Sequence, residues 1–200
     1  METFIQHARG RTARIAERSE EREAYGRLAE GQSPLALFIT CSDSRVVPSL
    51  ITGARPGELF ELRTAGNAVP VHQEGMAASS EAATIEYAMR VLAVADIVVC
   101  GHSHCGAVGA KARNEDLTAA PAVRDWLTQQ LSDELPGDAE PMVTAAVQHH
   151  VREQLERLRG YPCVRERLTA GEVRLHGWFY EVHTGRVSAH DPAADAFLPL

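Results

Sequence analysis

Apolar residues in this chain fall in short continuous runs, separated by polar stretches with helical spacing. Leu35 to Thr40 (Leu-Ala-Leu-Phe-Ile-Thr) and Ile97 to Cys100 (Ile-Val-Val-Cys) are such runs, each leading into a glycine or a polar segment. Runs of that length predict strands buried on both faces, as in a parallel sheet. Glu58 to Arg63 after Gly57, and Glu172 to Val182, predict two more strands. Thr184-Gly185 then turns the chain into Val187 as an antiparallel edge.

Helical periodicity lies between the runs. Ser79 or Ser80 caps a helix reaching about Ala95, with Ala82, Ile85, Met89 and Leu92 on one face. It reads as a right-handed crossover between parallel strands. Val143 to Leu158 has Val147, Val151, Leu155 and Leu158 on one face, and Gly160 and Pro162 stop it. Shorter helices are predicted over Pro48–Thr52, from Cys105 through Ala112, from Pro121 through Leu131, and over Val164–Leu168. Gly66-Asn67 is a turn, while Val69–Gly75, Asn114–Thr118 and Ser132–Pro141 read as loops. Asp191 to Leu200 reads as an extended tail. The pattern predicts one α/β domain over 1–200, with about four parallel strands plus an antiparallel edge strand, flanked by helices. Residues 1–30 form a helical arm whose apolar stripe is only Phe4, Ala8 and Ile15, too thin to hold a helix alone.

Composition narrows the partners. Two hundred residues suffice for a real core. A net charge of −7 argues against a nucleic-acid surface. No apolar stretch is long enough to span a membrane. Residues 1–30 lack an apolar signal core, and Glu17, Glu20, Glu21 and Glu23 follow their arginines too closely for a transit peptide. The expected location is the cytoplasm. Four cysteines in such a chain do not make a disulfide framework.

The candidate chemistry sits just past two of the strands, where open α/β sheets collect ligands. Cys41-Ser42-Asp43-Ser44-Arg45 follows one, and Gly101-His102-Ser103-His104-Cys105-Gly106 follows the other. Zinc favours cysteine sulfur and histidine nitrogen, and a catalytic zinc has three protein ligands and one open position. Cys41, His102 and Cys105 supply three. Cys105 starts a helix, which favours its thiolate. Asp43 and Arg45 each lie an even number of residues from Cys41, so an extended chain would point all three one way. A carboxylate there can accept a hydrogen bond from zinc-bound water, with the arginine fork fixing its direction.

These blocks resemble the β-class carbonic anhydrases. So do Gln32-Ser33-Pro34, Pro56-Gly57-Glu58-Leu59-Phe60, Arg63-Thr64-Ala65-Gly66-Asn67, Glu86-Tyr87-Ala88 and His176-Gly177-Trp178, so the resemblance covers nearly the whole chain. His176 to Gly185, together with Ala122 to Trp126, most resembles a bacterial subgroup often found beside cyanate-degrading enzymes. The resemblance implies one zinc per subunit on Cys41, His102 and Cys105, with Asp43 and Arg45 as the catalytic pair. It implies reversible hydration of carbon dioxide to bicarbonate and a proton through zinc-bound hydroxide. Gln32, Phe60 and Tyr87 would line the substrate pocket, some from a neighbouring subunit, and the Gly106 N–H would donate to bicarbonate. The arm would embrace a partner, giving at least a homodimer and in some members a tetramer or larger. In regulated members the aspartate becomes a fourth zinc ligand, and a tryptophan three residues before the first cysteine helps form a second bicarbonate site. Here that position is Phe38, although Val46, Arg63 and Tyr180 match, so the open type is expected. Thr64 replaces a common asparagine.

Other chemistry-bearing residues receive structural readings. Cys100 and Cys163 are packing thiols, and His72 is an exposed loop residue. The adjacent His149 and His150 point two ways on a helix and make no second metal site. His176 is structural, and His104 faces the pocket mouth or solvent. Two competing functions keep the same zinc: hydrolysis of carbonyl sulfide or carbon disulfide, and an inactive module that binds bicarbonate or a partner protein.

Overall fold

The computed structural model describes residues 1–75, 79–136 and 143–200. They form two compact units, 1–33 and 34–200. The first unit holds α1 (Glu2–Glu17) and α2 (Ser19–Leu28), which meet at Arg18 and bury no residue. Within it Arg11 hydrogen-bonds the Tyr25 hydroxyl and its guanidinium lies 5.5 Å from the Tyr25 ring centroid. Phe4 stays exposed, as a thin stripe dictates.

The second unit is built on one sheet. Its elements in chain order are β1 (Ala36–Cys41), α3 (Pro48–Thr52), β2 (Leu59–Thr64), α4 (Ser80–Glu86), β3 (Asp96–His102), α5 (Gly106–Ala112), α6 (Pro121–Gln130), α7 (Thr144–Arg159), α8 (Pro162–Thr169), β4 (Arg174–Tyr180), β5 (Val187–Asp191) and β6 (Ala196–Pro199). Strand order is β2-β1-β3-β4-β5-β6. The first four are parallel, and β5 and β6 are antiparallel. The four predicted parallel strands are present, but the antiparallel side has two strands. The expected tail folds back as β6, its Leu198 opposite Ala189 and its Phe197 opposite His190.

Odd-numbered residues of β1 and β3 (Leu37, Ile39, Cys41, Ile97, Val99) join the main core with Val147, Val151, Leu155 and Leu158 of α7. Even-numbered Phe38, Val98 and Cys100 form a second cluster on the other face, with Trp178 edge-on to Phe38. Both faces of the central strands are therefore buried, which is why their sequences lack alternation. The helix α7 lies very close to β3 and β4, because both strands carry glycine beneath it. A Cβ on Gly101 would come within 2.5 Å of Val147 Cγ1, and one on Gly177 within 3.0 Å of Val151 Cγ1.

The crossover helix after Ser79 does not run straight to Ala95. Ser79 caps it as predicted, accepting from the Ala82 N–H at 3.1 Å. Past Glu86 the turn widens, so that the Leu92 N–H bonds the Tyr87 carbonyl, and Ala93 turns left-handed. Arg167 of α8 binds the freed carbonyls of Met89, Ala93 and Val94. At the other boundary, Gly160 follows α7 and Pro162 opens α8, which is longer than the piece predicted over Val164–Leu168. The loop predicted over Ser132–Pro141 falls partly on residues 137–141, outside the described residues.

Candidate metal centre

The parallel register brings the two halves of the site together. β1 and β3 are hydrogen-bonded neighbours, with Thr40 opposite Cys100. Cys41 thus ends β1 beside the end of β3, where His102 emerges. A tight turn at Ser103-His104, with His104 left-handed at φ 57°, returns the chain so that Cys105 caps α5. Histidine tolerates that conformation better than most residues. The Ser103 N–H bonds the Tyr180 carbonyl, and the Ser103 hydroxyl accepts from the Val182 N–H, tying the turn to the end of β4.

One donor atom from each of Cys41, His102 and Cys105 lies within 4.8 Å of the others, and all three residues are buried. His102 Nδ1 is 2.9 Å from the Ser103 carbonyl, which can only accept, so Nδ1 carries the proton. The other nitrogen, Nε2, is left as a bare lone pair, buried and without a hydrogen-bond partner among the described residues. A buried acceptor stranded beside two sulfurs fits a cation, and two thiolates with one imidazole fit zinc. The two thiols shift each other in opposite directions. Cys105, through a hydrogen bond to Cys41, holds the Cys41 thiol down to about 4, against burial and with help from His102 and the Asp43 and Gly66 N–H groups. Cys105 is pushed up by that same neighbour and by burial. Without a cation, one thiolate forms readily and its charge opposes the second.

Asp43 and Arg45 do meet, but not by the route an extended chain implies. β1 ends at Cys41 and the chain turns, with the Val46 N–H bonded to the Asp43 carbonyl. Asp43 Oδ1 accepts from both the Arg45 backbone N–H and Nε at 2.9 Å, and Oδ2 accepts from Nη2 at 2.7 Å. Arg45 Nη2 also donates to the His104 carbonyl, joining the two ligand-bearing loops. Asp43 Oδ2 lies 3.9 Å from His102 Nε2, beside the donor triangle. The Arg45 fork holds the carboxyl down at about 2. No local pattern signals what Arg63 does: from β2 it donates to the carbonyls of Cys41, Asp43 and Val46 and fixes the turn.

The remaining candidates are placed as follows. Gly106 is the first residue of α5, next to Cys105, where backbone N–H groups lack helical partners. Phe60 stacks on the half-exposed Tyr87, ring centroids 5.8 Å apart. Phe60 pairs with Leu37, while Thr64 pairs with Cys41. That register sets Phe60 roughly 13 Å along the strand from the Cys41 end. Gln32 is exposed in the first unit. Thr64 is buried, its hydroxyl donating to the Ala68 carbonyl.

All four cysteines are free and buried, and burial pushes Cys100 up to about 12. His149 and His150 do point two ways, His150 into the core. His176 of β4 lies 2.7 Å from Asp96 Oδ1 of β3, a structural contact between neighbouring strands. His104 stands edge-on to His183, ring centroids 5.9 Å apart. His72 is more sheltered than expected, its ring 5.2 Å from that of Tyr161. Among the described residues no helix is long and apolar enough to cross a membrane.

Known proteins agree with this geometry. The family model for carbonic anhydrase matches residues 36–187. A carbonic anhydrase of Pseudomonas aeruginosa is 45% identical over 184 residues, spanning 89% of this chain and 83% of that protein. Carbonic anhydrase 1 of Escherichia coli O157:H7 is 42% identical over 187 residues, spanning 90% and 84%. The solved β-carbonic anhydrase CcaA superposes with a TM-score of 0.85 at 36% identity, covering 98% of this chain and all of that one. A tetrameric β-carbonic anhydrase of the filamentous ascomycete Sordaria macrospora superposes with a TM-score of 0.79 at 28% identity, covering 94% and 97%.

Proposed function

Since the chain belongs to the β class of the carbonic anhydrase family, we propose that Cys41, His102 and Cys105 hold its zinc and that Asp43 and Arg45 are its catalytic pair. The protein is a carbonic anhydrase, interconverting carbon dioxide and bicarbonate with zinc. The observation that carries the residue assignment is His102 Nε2, buried within 4.8 Å of both cysteine sulfurs and without a hydrogen-bond partner among the described residues.

When bound, zinc supplies a Lewis acid that makes water at its open position acidic enough to react near neutral pH. The chain's own groups do the rest. The charge of two thiolates offsets that of the cation, so activity is expected to rise toward alkaline pH. Asp43, with Arg45 donating to both its carboxylate oxygens, accepts a hydrogen bond from the attacking water and sets its direction. Holding those oxygens on Arg45 favours the open form over Asp43 as a fourth ligand. The Gly106 N–H, at the open start of α5, donates to the oxygens of the forming bicarbonate.

Phe60 and Tyr87 supply the apolar wall for carbon dioxide. Their distance along the sheet from Cys41 of the same chain supports a wall given by one subunit to the site of another. A homodimer is then the minimum unit, with the arm of residues 1–30 as an extension of a single catalytic domain. Assembly to a tetramer, as in the Sordaria macrospora relative, is the further step. Reduced thiols at the centre suit a cytoplasmic setting.

Stopped-flow carbon dioxide hydration by the zinc-loaded protein, from about pH 6.5 to about 9, tests this reading. Fast turnover rising with pH, and loss of zinc on replacing any of the three ligands, is the expected result. No hydration at any pH with stoichiometric zinc would remove it.

A further inference from the structure

Helix α7 carries two polar residues, His150 and Gln154, one turn apart on its buried side. No step above uses either. Both are fully buried, so their polar atoms need partners. Those partners form a chain with a fixed direction. The Val69 N–H can only donate, and Gln154 Oε1 accepts it at 2.8 Å. The amide nitrogen of Gln154 must then face His150, and Nε2 is 3.2 Å from Nδ1. An amide NH2 only donates, so Nδ1 accepts and the ring proton sits on Nε2. That N–H donates to the Gly66 carbonyl at 2.8 Å.

Gly66 stands next to the metal centre. It lies two residues past Thr64, the partner of Cys41 in the sheet. Its φ is 73°, a left-handed conformation that glycine enters and leaves freely. A Cβ there would sit 3.2 Å from Ala107 Cβ, so the close approach also needs glycine. A residue chosen for freedom at a point that demands fixed geometry has to be held from outside, and the hydrogen bond on its carbonyl is the hold.

We propose that His150 and Gln154 are positioning residues for the metal centre: the Nε2–H tautomer of His150, imposed by Gln154, fixes Gly66, and with it the backbone between Thr64, the sheet partner of Cys41, and Ala107, two residues past Cys105. This rests on Cys41 being a zinc ligand. A ligand whose backbone is held in place releases its metal more slowly.

Nitrogen-correlated imidazole NMR of the zinc protein should show His150 as the neutral Nε2–H tautomer. In cobalt-substituted protein, His150→Phe and Gln154→Met should each move the sulfur-to-cobalt charge-transfer band. Their zinc should pass to a competing chelator about tenfold faster or more, with circular dichroism unchanged. A proton on Nδ1 in the wild type, or an unmoved band in the folded variants, overturns the proposal. If His150→Phe does not fold, Gln154→Met and the wild-type tautomer decide. Full zinc retention by Cys41→Ser would overturn the ligand assignment and the network with it. That failure is separate from an unmoved band in variants of a protein whose Cys41 does hold zinc.

Discussion

Arg45 grips Asp43 at both ends of its carboxylate, Nε reaching Oδ1 at 2.9 Å and Nη2 reaching Oδ2 at 2.7 Å. Two parallel bonds fix a plane as well as a distance. The pair is also anchored to the second ligand loop, through the His104 carbonyl.

That geometry predicts an asymmetry between two arginine variants and a common result at the aspartate. Asp43→Ala should lower carbon dioxide hydration by about a hundredfold or more, with zinc content unchanged. Arg45→Lys keeps the charge but cannot make the fork, so it should fall well below wild type and close to Arg45→Ala. Steady-state rates with metal analysis check this. An Arg45→Lys enzyme at wild-type rate would show that charge alone matters.

Zinc removal should expose the coupling between the thiols. Cys41 is held down to about 4 and Cys105 is pushed up. The stripped protein, titrated by thiolate ultraviolet absorbance, should show one thiol ionising far below the others. Cys41→Ser should abolish that early step. Cys100, pushed up to about 12, should still be a thiol when that early step is complete. Two thiols ionising together at an ordinary value would contradict the shared site.

The close seat of α7 on β3 gives a packing prediction. In Gly101→Ala the new methyl would meet Val147 Cγ1 at 2.5 Å and Val151 Cγ2 at 2.7 Å. Either the helix lifts or the strand shifts, at a cost of about 1–3 kcal/mol. Because Gly101 precedes His102, zinc retention should fall with it. Denaturant melts and zinc titration check both effects, and a variant as stable as wild type would mean the helix rides more loosely than described.

The ligands and their strands were legible in the sequence for a simple reason. Buried strands announce themselves as continuous apolar runs, and Cys41, His102 and Cys105 are rare residue types placed just past two of them. The Asp43–Arg45 contact was legible as a pair but not as a shape, since its turn depends on Arg63, far along the chain, capturing three carbonyls. The break after Glu86 was hidden likewise, because Arg167 stabilises it from α8. The strand β6 has four residues and a proline, and only pairing with β5 gives it form. Local pattern carries periodicity and residue type, while partners chosen across long stretches of chain leave no local trace.

His150 yields a pH-dependent stability. Burial holds its folded pKa down to about 4 against an ordinary value of 6.5. Above about pH 6.5 both folded and unfolded chains carry it neutral, and its contribution to stability is fully present. As pH falls through the window from 6.5 toward 4, the unfolded chain takes up a proton that the folded one refuses. Stability must therefore fall with pH, by roughly 2 kcal/mol at about pH 5. Other groups titrate as well, so the contrast with a variant isolates this one. Urea unfolding at saturating zinc, at about pH 7.5 and about pH 5, should show wild type losing more stability than His150→Phe by that amount. The variant should be the less stable protein at the higher pH, with the gap narrowing as acid is added. Parallel losses in the two proteins would mean that His150 accepts a proton inside the fold, facing the Glu153 carboxylate 4.0 Å from its Nδ1.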